Sequence, residues 1–311
     1  MITDQLVIVR GGGDIATGTI RTLRRAGFPV LVLETDHPSA IRRTVALSEA
    51  VYEGSAAVED ITVTLAHNLD EAEYLLFQDG IAMLADPEGR AIHDIVDNKE
   101  AYAPWDTGLT TLEGGGRHLF LTCVVDAILA KENMGTTKDM APLVIALGPG
   151  FTAGADCDVA IETMRGHSLG RAILDGSPLD DTGKPGLIAG HAADRVIHSQ
   201  AAGTIRVHAE IGDIVREGQI IAEIIPEGVS GGEAVPVRAA FTGLLRGMIR
   251  DGFRVPEGFK IADIDPRADQ RDNCFRISDK ARAIGGAVLT ELIHYCAEQD
   301  IEQQGKDLAG V

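Results

Sequence analysis

A run of three glycines near the N-terminus is the part of this chain that most directly suggests chemistry. Gly11, Gly12 and Gly13 are followed by Asp14, and Ala16 completes a G-x-G-x-x-A spacing that begins at the first glycine. In such a spacing the first glycine permits a tight turn, the second lets a phosphate approach the backbone, and a small last residue lets a helix pack on the preceding strand. The free N–H groups at the start of that helix attract an anion. We therefore expect a phosphate-sized binding site here.

Two acids downstream of the glycines have the position of a ribose-binding group. Glu34 follows the turn by about 20 residues, where a carboxylate accepts from ribose hydroxyls, and Asp36 comes shortly after it. Asp14 is unusual, because a carboxylate inside the turn repels phosphate, so capping the helix is its alternative role. Two other interpretations stay open. One is a unit of this shape that binds no nucleotide, and the other is a P-loop, which Thr19 disfavours because it stands where the lysine should be.

Further glycines and cations follow two later apolar runs. Gly148 and Gly150 come after the first run, and Arg165 and His167 come after the second. Ligands of open α/β sheets bind at the carboxyl ends of strands. We therefore expect these residues to hold a second anionic group, a phosphate or a carboxylate. The alternative is that the arginine pairs with an acid of this acidic protein.

Cys274 is the candidate for covalent chemistry. It lies near the predicted start of a helix and beside Arg276 and Lys280, and such surroundings lower the pKa of a thiol. We therefore predict Cys274 and His167 as catalytic residues, with an inert buried cysteine as the alternative. Cys157 stands between two acids, which raise the pKa of a thiol. The histidines lack the spacing of a metal site, so no metal is predicted.

Composition restricts the class of protein. The 311 residues carry a formal net charge of −19, and only 4% are aromatic. Phosphate backbones and anionic membranes need a basic face, and base stacking needs aromatic rings, so neither a nucleic acid nor a membrane is an expected partner. No apolar run approaches the roughly 20 residues that cross a bilayer, and the N-terminus has no leader pattern. Four cysteines without a paired spacing indicate a cytoplasmic protein.

The elements that must position these groups alternate along the first half of the chain. Apolar runs and amphipathic stretches succeed each other, which predicts a Rossmann-like, mainly parallel sheet with helices on both faces. The stretch 100–117, which contains Trp105, is predicted to be a loop. Predicted strands cover residues 6–9, 28–33, 61–65, 81–85, 118–126, 143–147 and 159–161, and predicted helices cover residues 15–26, 38–47 and 68–78.

A different kind of structure is predicted for residues 191–267. Gly203 matches Gly243 and Gly212 matches Gly252, a repeat of 40 residues among β-branched positions. Two such halves resemble the small all-β hammerhead fold of biotinyl/lipoyl-like modules. The link between the halves, residues 226–234, contains no lysine that could be modified. We therefore expect this module to pack against or position another domain.

The boundaries define three predicted units. Residues 1–140 form a Rossmann-like nucleotide-binding domain, residues 141–190 together with 268–311 form a second α/β segment, and residues 191–267 form the β-module.

The last unit is predicted to end in a helix. Ser278 is the expected N-cap, the helix covers residues 279–299, and residues 300–311 form a polar tail. Gly285 and Gly286 interrupt this helix at a cost of roughly 1–2 kcal/mol in propensity. Close packing or the approach of a ligand is the expected compensation.

Short strings over nearly the whole length of the chain are together specific for one family. They are residues 10–14, 38–43, 148–151, 161–167, 182–186 and 274–280. The chain resembles the YqeB family of accessory proteins of selenium-dependent molybdenum hydroxylases, and its N-terminal unit is similar to that of xanthine dehydrogenase accessory proteins. The resemblance implies a role in maturing molybdenum hydroxylases. It implies neither a settled reaction nor settled catalytic residues.

Three functions are consistent with these residues. The first is a cytoplasmic maturation factor that binds a nucleotide or dinucleotide, NAD(P) or molybdopterin dinucleotide, and that meets a molybdenum hydroxylase apoenzyme. Cys274 would then carry sulfur or selenium. The second is an NAD(P)-dependent oxidoreductase in which His167 transfers the proton. The third is a non-enzymatic scaffold that senses a nucleotide. The oligomeric state is left open, and a homo-oligomer is one option.

Overall fold

The computed structural model of the chain describes residues 2–97, 119–183, 190–226 and 233–309. The loop predicted at 100–117 lies outside these residues. So do residues 227–232 of the link between the predicted β-halves and residues 184–186 of one family string.

A nine-stranded sheet forms the α/β part of the molecule. Its strands are β1 (Gln5–Arg10), β2 (Val30–Glu34), β3 (Ser55–Val58), β4 (Ile61–Ala66), β5 (Ile81–Ala85), β6 (Phe120–Asp126), β7 (Leu143–Leu147), β8 (Val159–Ile161) and β9 (Ala172–Ile173). They pair in the order β3-β4-β5-β2-β1-β6-β7-β8-β9. The seven strands from β4 to β8 in that order run parallel. The six from β5 to β8 have the order of the doubly wound dinucleotide-binding sheet. The predicted mainly parallel sheet is confirmed.

Helices cover both faces of this sheet. They are α1 (Asp14–Arg25), α2 (Ala50–Glu53), α3 (Leu69–Phe77), α4 (Arg90–Asp97) and α5 (Asp279–Ala309). Successive side chains of a strand point to opposite faces. Val7 and Val9 of β1 accordingly share one core with α1 and α5. Leu6 and Ile8 share the other core with α3 and α4. Both faces are buried, which explains why β1 reads as a continuous apolar run.

The C-terminal helix α5 packs directly on α1. A Cβ on Gly18 would lie 2.7 Å from the backbone of Ala281, and one on Gly285 would lie 2.7 Å from the carbonyl oxygen of Gly18. A Cβ on Gly285 would also lie 2.7 Å from the Thr22 hydroxyl, so the step from Gly18 to Thr22 along α1 matches the step from Ala281 to Gly285 along α5. The two helices therefore run parallel, and both begin at the carboxyl edge of the sheet. The close packing expected at Gly285 is confirmed, and nothing lies within 4 Å of a Cβ on Gly286.

The start of α5 agrees with the sequence and its end does not. The Ser278 hydroxyl accepts a hydrogen bond from the Ala281 N–H at 3.1 Å, as an N-cap does. The helix then continues to Ala309, so the predicted end of the helix at residue 299 is wrong. Within the part of the chain that the structure describes, no helix is both long enough and apolar enough for a membrane span.

The helix predicted for residues 38–47 is also wrong. The structure has two short 3₁₀ turns instead, Arg43–Val45 and Leu47–Glu49. Ahead of them, the carbonyl oxygen of Ile41 accepts a hydrogen bond from the N–H of Met248 at 2.7 Å. The segment is thus held by backbone bonding to the β-module, a long-range contact that local periodicity does not register.

The β-module consists of two four-stranded antiparallel sheets. Its strands are β10 (Val196–His198), β11 (Gly203–Val207), β12 (Ile214–Val215), β13 (Ile220–Ile225), β14 (Val235–Arg238), β15 (Gly243–Met248), β16 (Arg254–Val255) and β17 (Lys260–Asp265). One sheet has the order β10-β17-β15-β12 and the other has the order β14-β13-β11-β16.

The two halves of the β-module exchange strands symmetrically. β11 pairs with β13 of its own half and with β16 of the other half. β15 likewise pairs with β17 and with β12. Gly203 opposes Val255 just as Gly243 opposes Val215, so the repeat of 40 residues is a repeat of structure. The resemblance of this module to the biotinyl/lipoyl-like hammerhead stays a prediction.

Candidate functional site

The glycine turn lies where the strand order of the large sheet reverses. β2 and β6 flank β1 on its two sides, and the turn follows directly after β1. Open α/β sheets bind their ligands in the crevice outside the carboxyl ends of the strands at such a reversal. The topology therefore places the predicted phosphate site at the position where this architecture opens.

The three glycines of the turn serve different purposes. Gly11 has φ +97°, and a Cβ there would lie 2.9 Å from the carbonyl oxygen of Ala127. A Cβ on Gly12 would lie 3.1 Å from the backbone nitrogen of Ser48. Gly13 alone faces open space, because nothing lies within 4 Å of a Cβ there. Gly11 and Gly12 thus admit neighbouring parts of the protein, while Gly13 leaves the start of α1 accessible.

Gly13 is also the N-cap of α1, and it makes no side-chain cap hydrogen bond. The first N–H groups of a helix have no partner within the helix and need an acceptor from elsewhere. An oxyanion placed over Gly13 would supply one and would also be attracted by the helix dipole.

Glu34 reaches the glycine turn from the end of β2. Its carboxylate accepts from the Gly12 N–H at 2.7 Å and from the Thr35 N–H at 2.8 Å. Burial raises the pKa of Glu34, and these two backbone hydrogen bonds oppose the shift. Asp36 is exposed in the loop beyond. The structure thus brings Glu34 to the turn, and its binding of a ribose stays a prediction.

Asp14 does not cap the helix, and that expectation is corrected. It is the first residue of α1 rather than its N-cap. Its carboxylate pairs with the guanidinium of Arg42 at 3.1 Å. Arg42 comes from the segment that docks on the β-module, and it also donates to the Asn273 carbonyl oxygen at 3.2 Å. One arginine therefore connects the turn to the β-module side of the molecule.

Arg165 and His167 do not form a free cationic pair. Arg165 makes two hydrogen bonds of 2.8 Å to the carboxylate of Asp279, the first residue of α5. This contact holds the pKa of Asp279 well below its usual range. His167 is exposed. Arg165 is therefore paired with an acid, as the alternative interpretation of the sequence expects. A role of Arg165 or His167 in ligand binding stays a prediction.

The second glycine loop is filled by protein. A Cβ on Gly148 would lie 2.7 Å from the Thr163 hydroxyl, and one on Gly150 would lie 2.6 Å from the Cα of Glu132. These glycines allow the loops that follow β6, β7 and β8 to pack together. Their assignment as cofactor-binding residues stays a prediction, and their neighbours favour a structural role.

Cys274 is fully buried, at 0% exposure. Burial raises the pKa of its thiol, while the charges of Arg42 and Arg246 oppose that shift. The expected lowering of its pKa is therefore wrong, because desolvation outweighs the nearby cations. Burial also raises the pKa of Cys157, to about 11, with Asp156 and Asp158 adding to the effect. The acids beside Cys157 act as expected.

A buried polar cluster near the turn was not foreseen from the sequence. Arg10 and Asp126 end two neighbouring strands and are register partners. Their charged groups lie 3.7 Å apart and both are almost completely buried. The Thr136 hydroxyl donates to Asp126 at 2.5 Å and also bonds Arg10. The signal that could have predicted this pair is a charged residue at the end of each of two adjacent apolar strands.

The described residues contain no group of three or more His, Cys, Asp or Glu side chains placed to share a metal ion.

A curated protein of Escherichia coli (strain K12), the uncharacterized protein YqeB, is 45% identical to this chain over 289 residues, which is 93% of the chain. The resemblance to the YqeB family is confirmed. The chain spans about half the length of that relative, 47%. The activity and partners of a whole YqeB protein are therefore proposals for this chain.

The chain has only weak similarity to solved structures. The chain matches no protein-family model. An aspartoacylase-family protein of Mesorhizobium loti has a TM-score of 0.26 at 11% identity, with 84% of each chain covered. A succinylglutamate desuccinylase of a Silicibacter species has a TM-score of 0.26 at 14% identity, with 83% of this chain and 84% of that chain covered. Scores this low carry no argument about fold or activity.

The strings that carry the YqeB resemblance surround the glycine turn. Residues 10–14 form the turn, and residues 38–43 contain Arg42, which pairs with Asp14. Residues 161–167 contain Arg165, which pairs with Asp279 of the string at 274–280. Strings that are far apart in the chain thus converge at the carboxyl edge of the sheet.

Proposed function

We propose that the protein binds a nucleotide, or the nucleotide-bearing molybdenum cofactor, at the carboxyl edge of the sheet. We further propose that it acts there as an accessory factor in the maturation of selenium-dependent molybdenum hydroxylases. The maturation role is supported by the resemblance to the YqeB family. The binding role is supported chiefly by one observation: Gly13, at the point where the strand order reverses, leaves the start of α1 open.

In this proposal each group at the edge has a defined task. The N–H groups at the start of α1 hold a phosphate. Glu34 and Asp36 are the acceptors for ribose hydroxyls. The cofactor is cargo for a hydroxylase apoenzyme, so the site must release it, which suits an edge that is open at Gly13. Cys274 would act on sulfur or selenium only if its surroundings opened, because a buried neutral thiol is a poor nucleophile.

The binding role is tested first by native mass spectrometry of the purified chain. A co-purifying ligand of nucleotide mass identifies the occupant of the site. Titration with NAD(H), nucleoside diphosphates and a molybdopterin dinucleotide then ranks the classes. If NAD(H) binds tightly and a carbonyl substrate is reduced, the oxidoreductase alternative replaces the maturation role.

A pair of variants at Gly13 makes the test specific. Gly13→Asp and Gly13→Asn have almost the same size, and both residues are favoured N-caps, so both variants should fold. Only the aspartate places a negative charge where the phosphate is proposed to bind. We expect Gly13→Asp to weaken phosphate-ligand binding by about tenfold more than Gly13→Asn, as an added like charge at a helix start implies. Equal affinities in the two variants would contradict phosphate binding at this turn.

The maturation role is tested in cells. A strain that lacks the gene is complemented with the wild type, Gly13→Asp, Gly13→Asn or Cys274→Ser, and the activity of a selenium-dependent hydroxylase is measured. Loss of activity only with Gly13→Asp supports a role that depends on the bound ligand. Full hydroxylase activity in the strain without the gene would refute the maturation role. Full activity with Cys274→Ser would remove sulfur or selenium transfer by that thiol.

A further inference from the structure

Arg42 is a buried cation whose hydrogen-bonding capacity is not used up. It is 8% exposed. One terminal nitrogen donates to Asp14 at 3.1 Å and the other donates to the Asn273 carbonyl oxygen at 3.2 Å. Its Nε is buried and has no hydrogen-bond partner among the described residues. Buried donors are nearly always paired, so an unpaired one requires an explanation. This guanidinium reaches the first turn of α1 through Asp14.

Lys280 is a second cation beside the same turn. It belongs to the first turn of α5, and its neighbour Ala281 packs against Gly18 of α1. The side chain is partly buried, and the structure gives its ammonium neither a hydrogen bond nor an ion pair within the described ranges. Burial lowers the pKa of Lys280. The charged groups that act on it are Asp14, Glu162, Asp181 and Arg165.

Two of the acids around Lys280 are already engaged. Glu162 accepts from the Met164 and Leu179 N–H groups at 2.6 and 2.9 Å. Asp181 pairs with Lys131 at 2.5 Å. Asp14 therefore interacts with two cations. Arg42 contacts it directly, and Lys280 interacts with it electrostatically. The guanidinium Nε of Arg42 and the ammonium of Lys280 therefore leave charged donors without an acceptor among the described residues.

We propose that Arg42 and Lys280 hold the pyrophosphate bridge of a dinucleotide or nucleoside diphosphate at the start of α1, and that Asp14 competes with this group for Arg42. The pyrophosphate group carries at least one negative charge on each phosphate, one on each in a dinucleotide and a second on the terminal phosphate of a nucleoside diphosphate, so each of the two cations has a charged partner. The helix start supplies N–H donors to the same oxygens. A nucleoside monophosphate engages only part of this set. The inference rests on the proposed nucleotide binding and names the chemical class that the site selects.

The competition leads to an unusual expectation. A carboxylate that contacts a ligand phosphate repels it, so removing the charge of Asp14 should strengthen binding. Asp14→Asn is expected to tighten binding of inorganic pyrophosphate and ADP by about fivefold, the size of a charge effect in a partly buried first helical turn. Lys280→Gln is expected to weaken both by about tenfold, since a charge-assisted hydrogen bond is lost.

Calorimetric titration of the full chain at low salt measures these effects. The probes are inorganic pyrophosphate, ADP, AMP and orthophosphate. Asp70→Asn is the control for Asp14→Asn, because Asp70 also lies in the first turn of a helix, α3. Lys260→Gln is the control for Lys280→Gln, because Lys260 is exposed in the β-module. Lys280→Arg should retain binding, and thermal unfolding shows that each variant is folded.

The results separate the two proposals. If the wild type binds none of the probes, this inference fails. The proposed nucleotide binding fails as well only if NAD(H) and the molybdopterin dinucleotide also do not bind. If the wild type binds ADP but AMP binds equally well, only the pyrophosphate assignment is overturned. Asp14→Asn binding that is unchanged or weaker, or Lys280→Gln binding that equals the Lys260→Gln control, overturns the roles given to these residues.

Discussion

The molecule has two glycine loops at the carboxyl edge of its sheet. They differ in what occupies the space where a side chain would lie at each glycine. After β7, Gly148 and Gly150 are in contact with the side chain of Thr163 and the backbone of Glu132. After β1, Gly11 and Gly12 are likewise in contact with protein, but Gly13 opens to free space. A missing side chain accommodates a neighbouring loop as readily as a phosphate. Only the surroundings of each glycine tell the two uses apart.

Of the three glycines in the turn after β1, only Gly13 leaves space that a ligand can approach. This contrast explains why the open position belongs to the helix start rather than to the tight part of the turn. Gly13 has φ −64° and ψ −178°, which any residue adopts, so a glycine is not needed there for backbone geometry. Gly11 and Gly150, with φ +97° and +101°, are needed for geometry and for packing together.

The largest expected effect is at Gly150. Gly150→Ala forces a left-handed residue to carry a Cβ that would lie 2.6 Å from the Cα of Glu132. We expect the free energy of unfolding to fall by about 3 kcal/mol, from backbone strain and overpacking together. Gly154→Ala in the same loop is the control, because it has φ +90° but nothing within 4 Å. Urea denaturation of both variants separates strain from packing, and equal losses would contradict the assigned contact.

A second pair of glycines sharpens the same contrast inside one helix. Gly285→Ala places a Cβ 2.7 Å from the Gly18 carbonyl oxygen, whereas Gly286→Ala meets nothing. We expect Gly285→Ala to destabilise by about 2 kcal/mol through overpacking of α1 on α5. Gly286→Ala should stabilise by roughly 0.5–1 kcal/mol through helix propensity. Thermal or urea unfolding measures the change in stability of both variants. Destabilisation by Gly286→Ala would contradict the open space found at that position.

Glu34 tests the electrostatics of the open turn. Its pKa is raised by burial above the ordinary value of 4.5, so the native state holds this proton more tightly than the unfolded state does. Stability contributed by the protonated group is therefore present below about pH 4.5 and is lost as pH rises through the raised pKa.

Relative to Glu34→Gln, the wild type should lose about 1.4 kcal/mol for each pKa unit of displacement as pH rises through that window. Urea denaturation between about pH 4 and pH 7 measures the difference. Glu88→Gln, at an exposed position, is the control. A wild type that gains stability over Glu34→Gln as pH rises would reverse the assigned direction of the shift.

The smallest expected effect is at Gly13 itself. Gly13→Ser should change the free energy of unfolding by less than about 0.5 kcal/mol and should favour folding, because serine is a better N-cap than glycine. Urea denaturation beside Gly11→Ala, which should lose several-fold more, completes the comparison within one turn. A large loss in Gly13→Ser would mean that its surroundings are more crowded than the structure shows.

Much of the α/β part could be predicted from local pattern. Continuous apolar runs predicted β1, β7 and β8 because strands buried on both faces have no polar side. Asn68 is the N-cap of α3, and its side chain accepts from the Glu71 N–H at 2.8 Å. Because an N-cap residue is bonded within its own turn, such a helix start can be predicted from the local sequence. The helix prediction for residues 38–47 is wrong for the opposite reason. The backbone partner that holds this segment, Met248, lies far away in the sequence.

The candidate site was predictable in type and only partly in detail. The glycine spacing indicated a turn before a helix, and the strand order places it at the expected edge. From the sequence, Arg42 belongs to the helix predicted for residues 38–47, and Lys280 is a neighbour of Cys274. Their approach to Asp14 depends on the docking of the β-module and of α5 on α1. No local pattern reports such contacts.

The turn, the parallel strands, the repeat in the β-module and the N-cap of α5 can be read from the sequence, because each depends on residues that are close together in the chain or repeated along it. Which glycine is open, which acid pairs with Arg42 and whether Cys274 is buried follow from the folded structure. Those properties depend on what each residue meets across the molecule. Neighbouring groups shift the intrinsic pKa and reactivity of a carboxylate or a thiol, and they decide whether a ligand can reach a glycine.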